Sequence, residues 1–439
     1  MKKQHHIVIV GAGFAGLMAS VRLARQSKKY PMRITLINGS EDYIIRPRLH
    51  EWATNQTQDR QKIVDILKGK DVNFVKAWVK ELYPQENALS IETDEGVSRI
   101  RYDSLILAMG SHIDTTMIEG ISDYAYVFDA HAKNGAEALR QKLLDYENKQ
   151  GKVVVIGGGA TGIEGATHIK SLYPHLEVTI VSRDTLGVFK TDSRVEREIQ
   201  ASFAEHKINV LDKSSVQAIH AHYISLEATL VGHHGTGKIM SSEKSVSKQE
   251  SHLIKKEQTL PFDICVWAGG FRAPALGANA GLEVNAHNQI LIDPFQRAVA
   301  YPNIIAVGDC AFPIETPGNP YRMCCPVALT MGAHAADNII RMLARKSEKP
   351  LSFDYYGQVM QLGVNDAIAW LTYPNDEVRL IVTRGKVARM ARHMILASLD
   401  VIFDYEKAYG IYNWTGKNRY QKNESKMITS SKKLSEQRI

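Results

Sequence analysis

Ile7-Val-Ile-Val10 is a run of β-branched residues that ends in Gly11-Ala12-Gly13-Phe14-Ala15-Gly16. Leu17-Met-Ala-Ser-Val-Arg-Leu-Ala24 follows with apolar residues at helical spacing, and Arg33-Ile-Thr-Leu-Ile37 is a second strand-like run. Short apolar runs bounded by glycine fit strands buried on both faces, so residues 7–37 predict a strand–helix–strand unit. The pattern returns at Val153-Val-Val-Ile156, Gly157-Gly-Gly-Ala-Thr-Gly162, Ile163 to Leu172 and Val178-Thr-Ile-Val181. The two glycine turns begin 146 positions apart (157 minus 11). That repetition predicts two domains with one plan, and it argues against reading Met1-Lys2-Lys3 and the apolar stretch after it as a cleaved leader.

The rest of the chain fits around these units. Tyr102–Ser111 and Ile304–Asp309 each predict a strand ending in a glycine turn, and Pro326 to Ile340 predicts a helix. Residues 232–258, rich in Gly, Ser and Lys, predict a hairpin tip or surface insertion. Residues 351–410 predict mixed strand and helix. Within them Val387–Leu399 is amphipathic, with Arg389, Arg392 and His393 off the apolar stripe. No run approaches the roughly 18–20 apolar residues of a spanning helix.

A glycine triplet is weak evidence alone, but here a strand precedes and a helix follows, twice. The first glycine permits the tight turn, the second lets a pyrophosphate approach the main chain, and the third lets helix and strand pack closely. The diphosphate then meets free N–H groups at a helix N-terminus. An acid at the end of each second strand would bond a ribose hydroxyl pair. Asn38 takes that place in the first unit, and Ser182 followed by Arg183 takes it in the second. A carboxylate would repel a 2′-phosphate, whereas Ser182 and Arg183 would receive one, which favours NADPH over NADH. Arg183 as a solvated loop residue is the alternative.

Composition narrows the partners. With 44% hydrophobic and 23% charged residues in 439, the chain is neither disordered, collagen-like nor a multi-span membrane protein. The net charge is +7. From Lys417 to Ile439 seven basic residues face two acidic ones, so the tail alone supplies +5 and the body is nearly neutral. A solvated, poorly ordered end or a contact with anionic lipid both fit that tail. No basic–aromatic stripe points to nucleic acid. The four cysteines (Cys265, Cys310, Cys324, Cys325) form no disulfide framework, no zinc pattern appears, and no metal is expected. A reducing cytosol fits best.

The ordered set GxGxxG (11–16), Tyr-Asp-x-Leu-Ile-Leu-Ala-x-Gly-Ser (102–111), GGGxTGxE (157–164) and Ala-Val-Gly-Asp (306–309) resembles the two-dinucleotide-domain flavoproteins of the pyridine nucleotide–disulfide reductase superfamily. Within them the chain is most similar to type II NADH dehydrogenase-like oxidoreductases. The resemblance spans roughly residues 5–345. It implies an α/β fold with two Rossmann-like domains, for FAD and NAD(P)H, the second inserted in the first, plus a smaller C-terminal module. The expected division is 1–112 and 257–345 for FAD, 113–256 for NAD(P)H, 346–415 for an interface or membrane-surface module, and 416–439 for the basic tail.

Position by position, the resemblance implies that Gly11, Ala12, Gly13 and Gly16 hold the FAD diphosphate, with Asn38 near the adenosine ribose where the family usually has an acid. Ala108 and Gly110 would line the chain crossing beside FAD. Asp309, after Gly308, would bond the ribityl hydroxyls, and a helix start near Ala328 would face the flavin pyrimidine. Gly157, Gly159 and Gly162 would hold the NAD(P)H diphosphate. Glu164 matches a glutamate near the nicotinamide–flavin contact, or is an acid in a helix's first turn. Arg48, within Arg46-Pro-Arg-Leu-His-Glu51, would face the FAD diphosphate or remain a loop arginine.

The implied activity is hydride transfer from NADH or NADPH to FAD and electron transfer onward to an acceptor. The first 260 residues hold no cysteine, which argues against a dithiol relay. A quinone at the membrane surface is the leading acceptor, although Cys325-Pro-Val-Ala-Leu-Thr-Met-Gly332 lacks the glutamine of quinone-reducing relatives. A soluble carrier protein or small electrophile is the second choice, and a redox-sensing binder with little turnover the third. Cys324 and Cys325 are structural or redox-active. Residues 386–403 lie on a membrane or pack on the flavin domain. The expected location is cytoplasmic, with peripheral contact at the inner face of the membrane and a homodimer left open.

Overall fold

The computed structural model describes residues 4–54, 60–184, 192–231, 253–314, 321–410 and 412. The first predicted unit forms as β1 (His5–Val10), α1 (Phe14–Gln26) and β2 (Met32–Asn38). β1 pairs in parallel with β2 and with Ser104–Leu107, at the heart of an eight-stranded sheet. Tyr301–Ala306 extends that sheet on the far side of Ser104–Leu107, also in parallel. Ile7, Val8 and Ile9 are completely buried, which is why this run shows no polar alternation.

The second unit is β3 (Lys152–Ile156), α2 (Ala160–Leu172) and β4 (Glu177–Val181). Its sheet runs Tyr126–Val127, Ile264–Trp267, β3, β4, Asn209–Leu211, and every pairing is parallel. The two units match bond for bond. The Gly11 N–H donates to Ile37 O and the Gly157 N–H to Val181 O, both at 2.8 Å. The Ala108 N–H donates to Val10 O and the Ala268 N–H to Ile156 O, again both at 2.8 Å.

One expected boundary moves. Residues 257–267 were placed with the first domain, but Leu253–Pro261 pairs with Tyr223–Val231, and Ile264–Trp267 is a central strand of the second sheet. The chain crosses back at Phe271–Arg272, which pairs antiparallel with His112–Ile113. The Gly/Ser/Lys-rich stretch expected as a hairpin tip or surface insertion lies between the paired strands Tyr223–Val231 and Leu253–Pro261, and the second of them leads into the sheet. Residues 232–252 and the tail from 413 fall outside the described residues.

α3 (Cys325–Leu343) packs along α1. The contact is close because Gly332 has no side chain: a Cβ there would stand 2.1 Å from the Ala15 carbonyl oxygen. A three-stranded antiparallel sheet (Gly357–Gln361, Ala367–Thr372, Val378–Arg384) follows. The chain then forms α4 (Lys386–Tyr409), ten residues longer at its C-terminal end than the amphipathic stretch that ends at Leu399.

α4 has two apolar faces. Ala388, Leu399 and Phe403 are buried, with the Phe403 ring edge-on to Tyr43 at 5.4 Å. Arg22 ties this face to the first domain, donating to Glu406 at 3.0 Å, to Asp337 at 2.8 Å and to the Tyr412 carbonyl at 2.7 Å. The other face leaves Val387, Met390, Met394 and Val401 between 42% and 69% exposed. Among the described residues, no helix is long and apolar enough to cross a membrane.

Gly332→Ala forces α1 and α3 apart and is expected to cost about 1–3 kcal/mol. The check is the thermal midpoint of the variant; an unchanged midpoint would show that the contact can relax.

Candidate functional site

Each glycine turn leaves a bare cradle. Gly11 and Gly157 need positive φ (+101° and +127°), and a Cβ at Gly16 or Gly162 would stand 1.8 or 1.9 Å from the carbonyl oxygen of Gly11 or Gly157. The middle glycines differ in kind: Gly13 and Gly159, at the N-terminal caps of α1 and α2, have extended backbone and nothing within 4 Å of a Cβ. Space of that kind beside a helix N-terminus suits a diphosphate.

In the first cradle Asn38 is spent on the chain itself. Its Oδ1 accepts from the Ala12 N–H at 3.0 Å and its Nδ2 donates to Ser40 O at 2.8 Å. It braces the turn rather than presenting a free amide. Ala108 is buried beneath Gly11, as the crossing requires. At Gly308, with φ +71°, an added Cβ would stand 3.4 and 3.5 Å from the β-carbons of Ala15 and Ala328, so the turn before Asp309 lies near the starts of α1 and α3. α3 begins at Cys325, three residues before the expected Ala328, with Cys324 as its cap.

Asp309 accepts from Ser111 Oγ at 2.8 Å. Burial raises its pKa, against the opposing pull of Arg46 and the Ser111 bond. Arg46 donates to the Ser111 carbonyl and lies beside Gly110. Arg48, expected there, instead donates to Glu51 at 2.8 Å. Residues 46–48 form one 3-10 turn, which sets successive side chains about 120° apart, so Arg46 and Arg48 cannot share a direction.

The second cradle opens into a cavity of about 1220 Å³. Beside the cradle it is lined by Gly157–Ala160, Ser182, Arg183 and Asp184. Ser182 is buried, while Arg183 is largely exposed, with its Nε 3.4 Å from Asp184 Oδ2. The sequence reading passed over Asp184, which lies two positions beyond the place where an acid was sought. Glu164 lines the middle of the cavity as the fifth residue of α2, so it is not a first-turn acid. The far end is formed by Cys324, Cys325, Pro326 and apolar residues of α4 and the C-terminal sheet.

The family model for pyridine nucleotide-disulphide oxidoreductases matches residues 5–332. The chain belongs to this family. A type II NADH:quinone oxidoreductase of Staphylococcus saprophyticus is 25% identical over 404 residues, covering 89% of this chain and 93% of that one. The demethylphylloquinone reductase NdbB of Synechocystis is 23% identical, covering 82% and 85%. Among solved structures, NDH2 of Plasmodium falciparum in complex with NADH superposes with a TM-score of 0.73 at 16% identity, covering 93% of this chain and 99% of that one. The sulfide:quinone oxidoreductase of Aquifex aeolicus gives 0.72 at 17% identity, covering 97% and 95%.

In this member of the pyridine nucleotide-disulphide oxidoreductase family, Cys265 and Cys310 are buried in the sheet region and only Cys324 and Cys325 reach the cavity. Burial holds their thiols protonated, Cys324 at about 11 and Cys325 higher still. Both thus lack the thiolate character that a nucleophile needs.

A buried polar cluster stands where Glu164, the short helix Leu49–Ala53 and α4 meet. The Glu164 Oε1 accepts from the Gln361 N–H at 2.9 Å, and the Gln361 side chain bonds His50 at 2.8 Å. Glu51 Oε1 pairs with Arg392 Nη2 at 2.8 Å, and its Oε2 with Arg48 Nε at 2.8 Å. Burial alone would raise the Glu51 pKa; Arg392 and Arg48 outweigh it and hold the carboxyl below its usual range. Arg392, expected off the apolar stripe with Arg389 and His393, is therefore an inward residue, its side chain 12% exposed. Hydropathy periodicity sees a charge, not the carboxylate waiting for it on another element.

His168 is fully buried and bonds Thr54 Oγ1 through Nδ1. Burial, helped by His50, pushes its pKa down from 6.5 to about 3. The unfolded chain then binds a proton that the folded chain refuses, so stability falls as pH drops from 6.5 toward 3. The depressed Glu51 adds the same sign in the carboxylate range. Thermal midpoints measured from about pH 7 to about pH 5 should therefore fall, and fall less in His168→Gln. Parallel curves would remove His168 as a source of the acid lability.

Proposed function

We propose that the chain is an NAD(P)H-dependent FAD oxidoreductase that passes electrons to a quinone. The observation that carries this reading is a single cavity lined both by the Gly157–Ala160 cradle and Glu164 and by apolar residues of α4 and the C-terminal sheet. The family membership supplies the chemistry class, and the type II NADH:quinone oxidoreductase relative supplies the acceptor class.

In this reading the FAD domain is built from residues 1–112 and from about 271–345, and the residues between them carry the nicotinamide nucleotide. Gly11, Ala12, Gly13 and Gly16 hold the FAD diphosphate, Asp309 bonds the ribityl chain, and Arg46 stands by the crossing at Ala108–Gly110. Asn38 keeps the cradle in shape. When bound, FAD supplies a two-electron store that accepts hydride from reduced nicotinamide. The residues of the chain bind, orient and exclude water. Gly157, Gly159 and Gly162 place the nicotinamide nucleotide, and Glu164 borders its reacting end. Val359, Trp370, Leu396 and Leu399 give the acceptor an apolar chamber. A quinone ring suits such walls, and adjacent, protonated cysteines do not suit a dithiol relay.

Both nicotinamide nucleotides are accepted, with NADPH slightly favoured. Ser182 and Arg183 receive a 2′-phosphate, and Asp184 opposes one, so the preference is small. The exposed apolar face of α4, with Leu380 and Ile381 beside it (87% and 57% exposed), rests on a membrane surface. That places the enzyme at the periphery of a bilayer, where the quinone resides.

Anaerobic mixing with NADH and with NADPH, followed by a panel of quinones, tests the whole reading. Rapid flavin reduction and rapid reoxidation by quinone support it. Tight nucleotide binding with negligible turnover would favour the redox-sensing alternative.

Two substitutions separate the cradles. Gly159→Val keeps an allowed backbone, and its Cβ has no protein atom within 4 Å, so the variant should fold, retain flavin and lose at least about tenfold in nicotinamide nucleotide affinity; Gly13→Val should instead emerge without flavin. Colour and nucleotide titration read both. Arg183→Ala should lower kcat/KM for NADPH about 5- to 30-fold and leave NADH unchanged. Equal effects on the two nucleotides would take Arg183 out of the 2′-phosphate site.

A further inference from the structure

The acceptor chamber is apolar except at a few points, and a quinone oxygen that gains negative charge as the ring is reduced needs a donor. The start of α3 offers thiols, Pro326 and Leu329, which are poor donors or none. Among the described residues, three guanidinium groups line the cavity; Arg183 stands beside the glycine cradle, which leaves Arg322 and Arg392 for the chamber. Arg322 pairs with Asp376 at 2.8 Å and lies over the Tyr355 ring at 4.6 Å, so it is held against the C-terminal sheet. Arg392 stands at the join between the two halves of the cavity, its Nε 3.9 Å from Glu164 Oε1 and its neighbours Ala391, Ile395 and Leu396 on the apolar wall.

Resting on the quinone reading above, we infer that Arg392 donates a hydrogen bond to the carbonyl oxygen of the quinone acceptor and that Glu51 is the positioning residue that aims it. Arg392 Nη2 is spent on Glu51 at 2.8 Å, and a guanidinium has further donors on Nη1 to offer a ligand. Glu51 is in turn fixed by Arg48 at 2.8 Å and is nearly inaccessible, so the pair cannot drift. Without Glu51, the guanidinium would close the 3.9 Å gap to Glu164 and turn away from the chamber. A cation held this way in a low-dielectric wall binds an oxygen more strongly as its negative charge grows, which favours the reduced ring over the oxidised one.

Steady-state kinetics with menadione and a short-chain ubiquinone, run beside ferricyanide, give the test. Ferricyanide takes electrons without a hydrogen bond from the wall. Arg392→Leu is expected to lower kcat/KM for both quinones about 10- to 100-fold, mostly through KM, while NADH reduces the flavin anaerobically at the wild-type rate and ferricyanide turnover persists. Arg392→Lys should recover part of the loss.

The single variant leaves Glu51 short of a partner and is expected to melt earlier. The double variant Glu51→Gln/Arg392→Leu removes both charges, so it should regain thermal stability without regaining quinone affinity. Glu51→Gln alone should raise the quinone KM while keeping the guanidinium. A stable double variant with wild-type quinone kinetics, or an equal loss with ferricyanide, would overturn the inference. A wild type that no quinone reoxidises overturns the proposed function along with it; a wild type that turns over quinone beside an indifferent Arg392→Leu overturns this inference alone.

Discussion

Everything in the molecule hangs on one steric condition, met twice. A strand must turn into a helix so tightly that the third glycine of the turn lies against the carbonyl of the first, while the alanine that follows a neighbouring strand closes the space below. Gly11, Gly16 and Ala108 satisfy it in the first unit, and Gly157, Gly162 and Ala268 in the second. One added methyl group at the tight positions would meet backbone oxygen, not a movable side chain. The reward is a row of backbone N–H groups at a helix start with open space in front of it, a site for diphosphate that needs no charged side chain. Each cradle is thus fixed by packing, and only the residues around it set what else binds.

The C-terminal module completes what those cradles begin. α4 presses Leu399 and Phe403 onto the first domain and is tied there by Arg22, which reaches Glu406, Asp337 and the Tyr412 carbonyl. Burial raises the Glu406 pKa even with Arg22 beside it, so this tie is as much desolvated as it is paired. Such a contact adds little net energy beyond the apolar packing around it, but an unpaired partner would be costly, which makes it a strong constraint on where α4 lies. The same helix then supplies one wall of the cavity and an exposed apolar face, so a single element links the position of that wall to the outer surface.

How much of this was legible in the chain depends on how local the information is. Both strand–helix–strand units, the crossing at Ala108 and Gly110 and the turn at Gly308–Asp309 are written in contiguous residues, and their spacing alone locates them. Asn38 was placed at the right strand end, but its amide bonds Ala12 and Ser40, a use that depends on how the following turn folds back. Arg46 and Arg48 differ by the phase of one 3-10 turn. The boundary at 257 cuts the strand Leu253–Pro261, whose place is set by its pairing with Tyr223–Val231 and not by the residues at the boundary itself. Asp184 could have been found by looking beyond the strand end; Arg392 could not, since its carboxylate partners lie 341 and 228 positions earlier, at Glu51 and Glu164.

The buried cluster itself explains why so polar a group persists in the middle of an apolar cavity. Two carboxylates, Glu51 and Glu164, face two guanidinium groups, Arg48 and Arg392, and His168 stays neutral. Each carboxylate thus has a cation nearby, and a carboxylate left unpaired in so buried a place would cost several kcal/mol. Removing a charged member disturbs that pairing, whereas an apolar set of the same volume would be cheaper to bury. Stability alone does not account for keeping it. What the cluster adds is geometry: it joins the short helix Leu49–Ala53, α2, the strand Gly357–Gln361 and α4 at one point of the cavity wall. A shift of any of these elements would strain its contacts with the others, so the network is best understood as the part that fixes where α4 stands against α2.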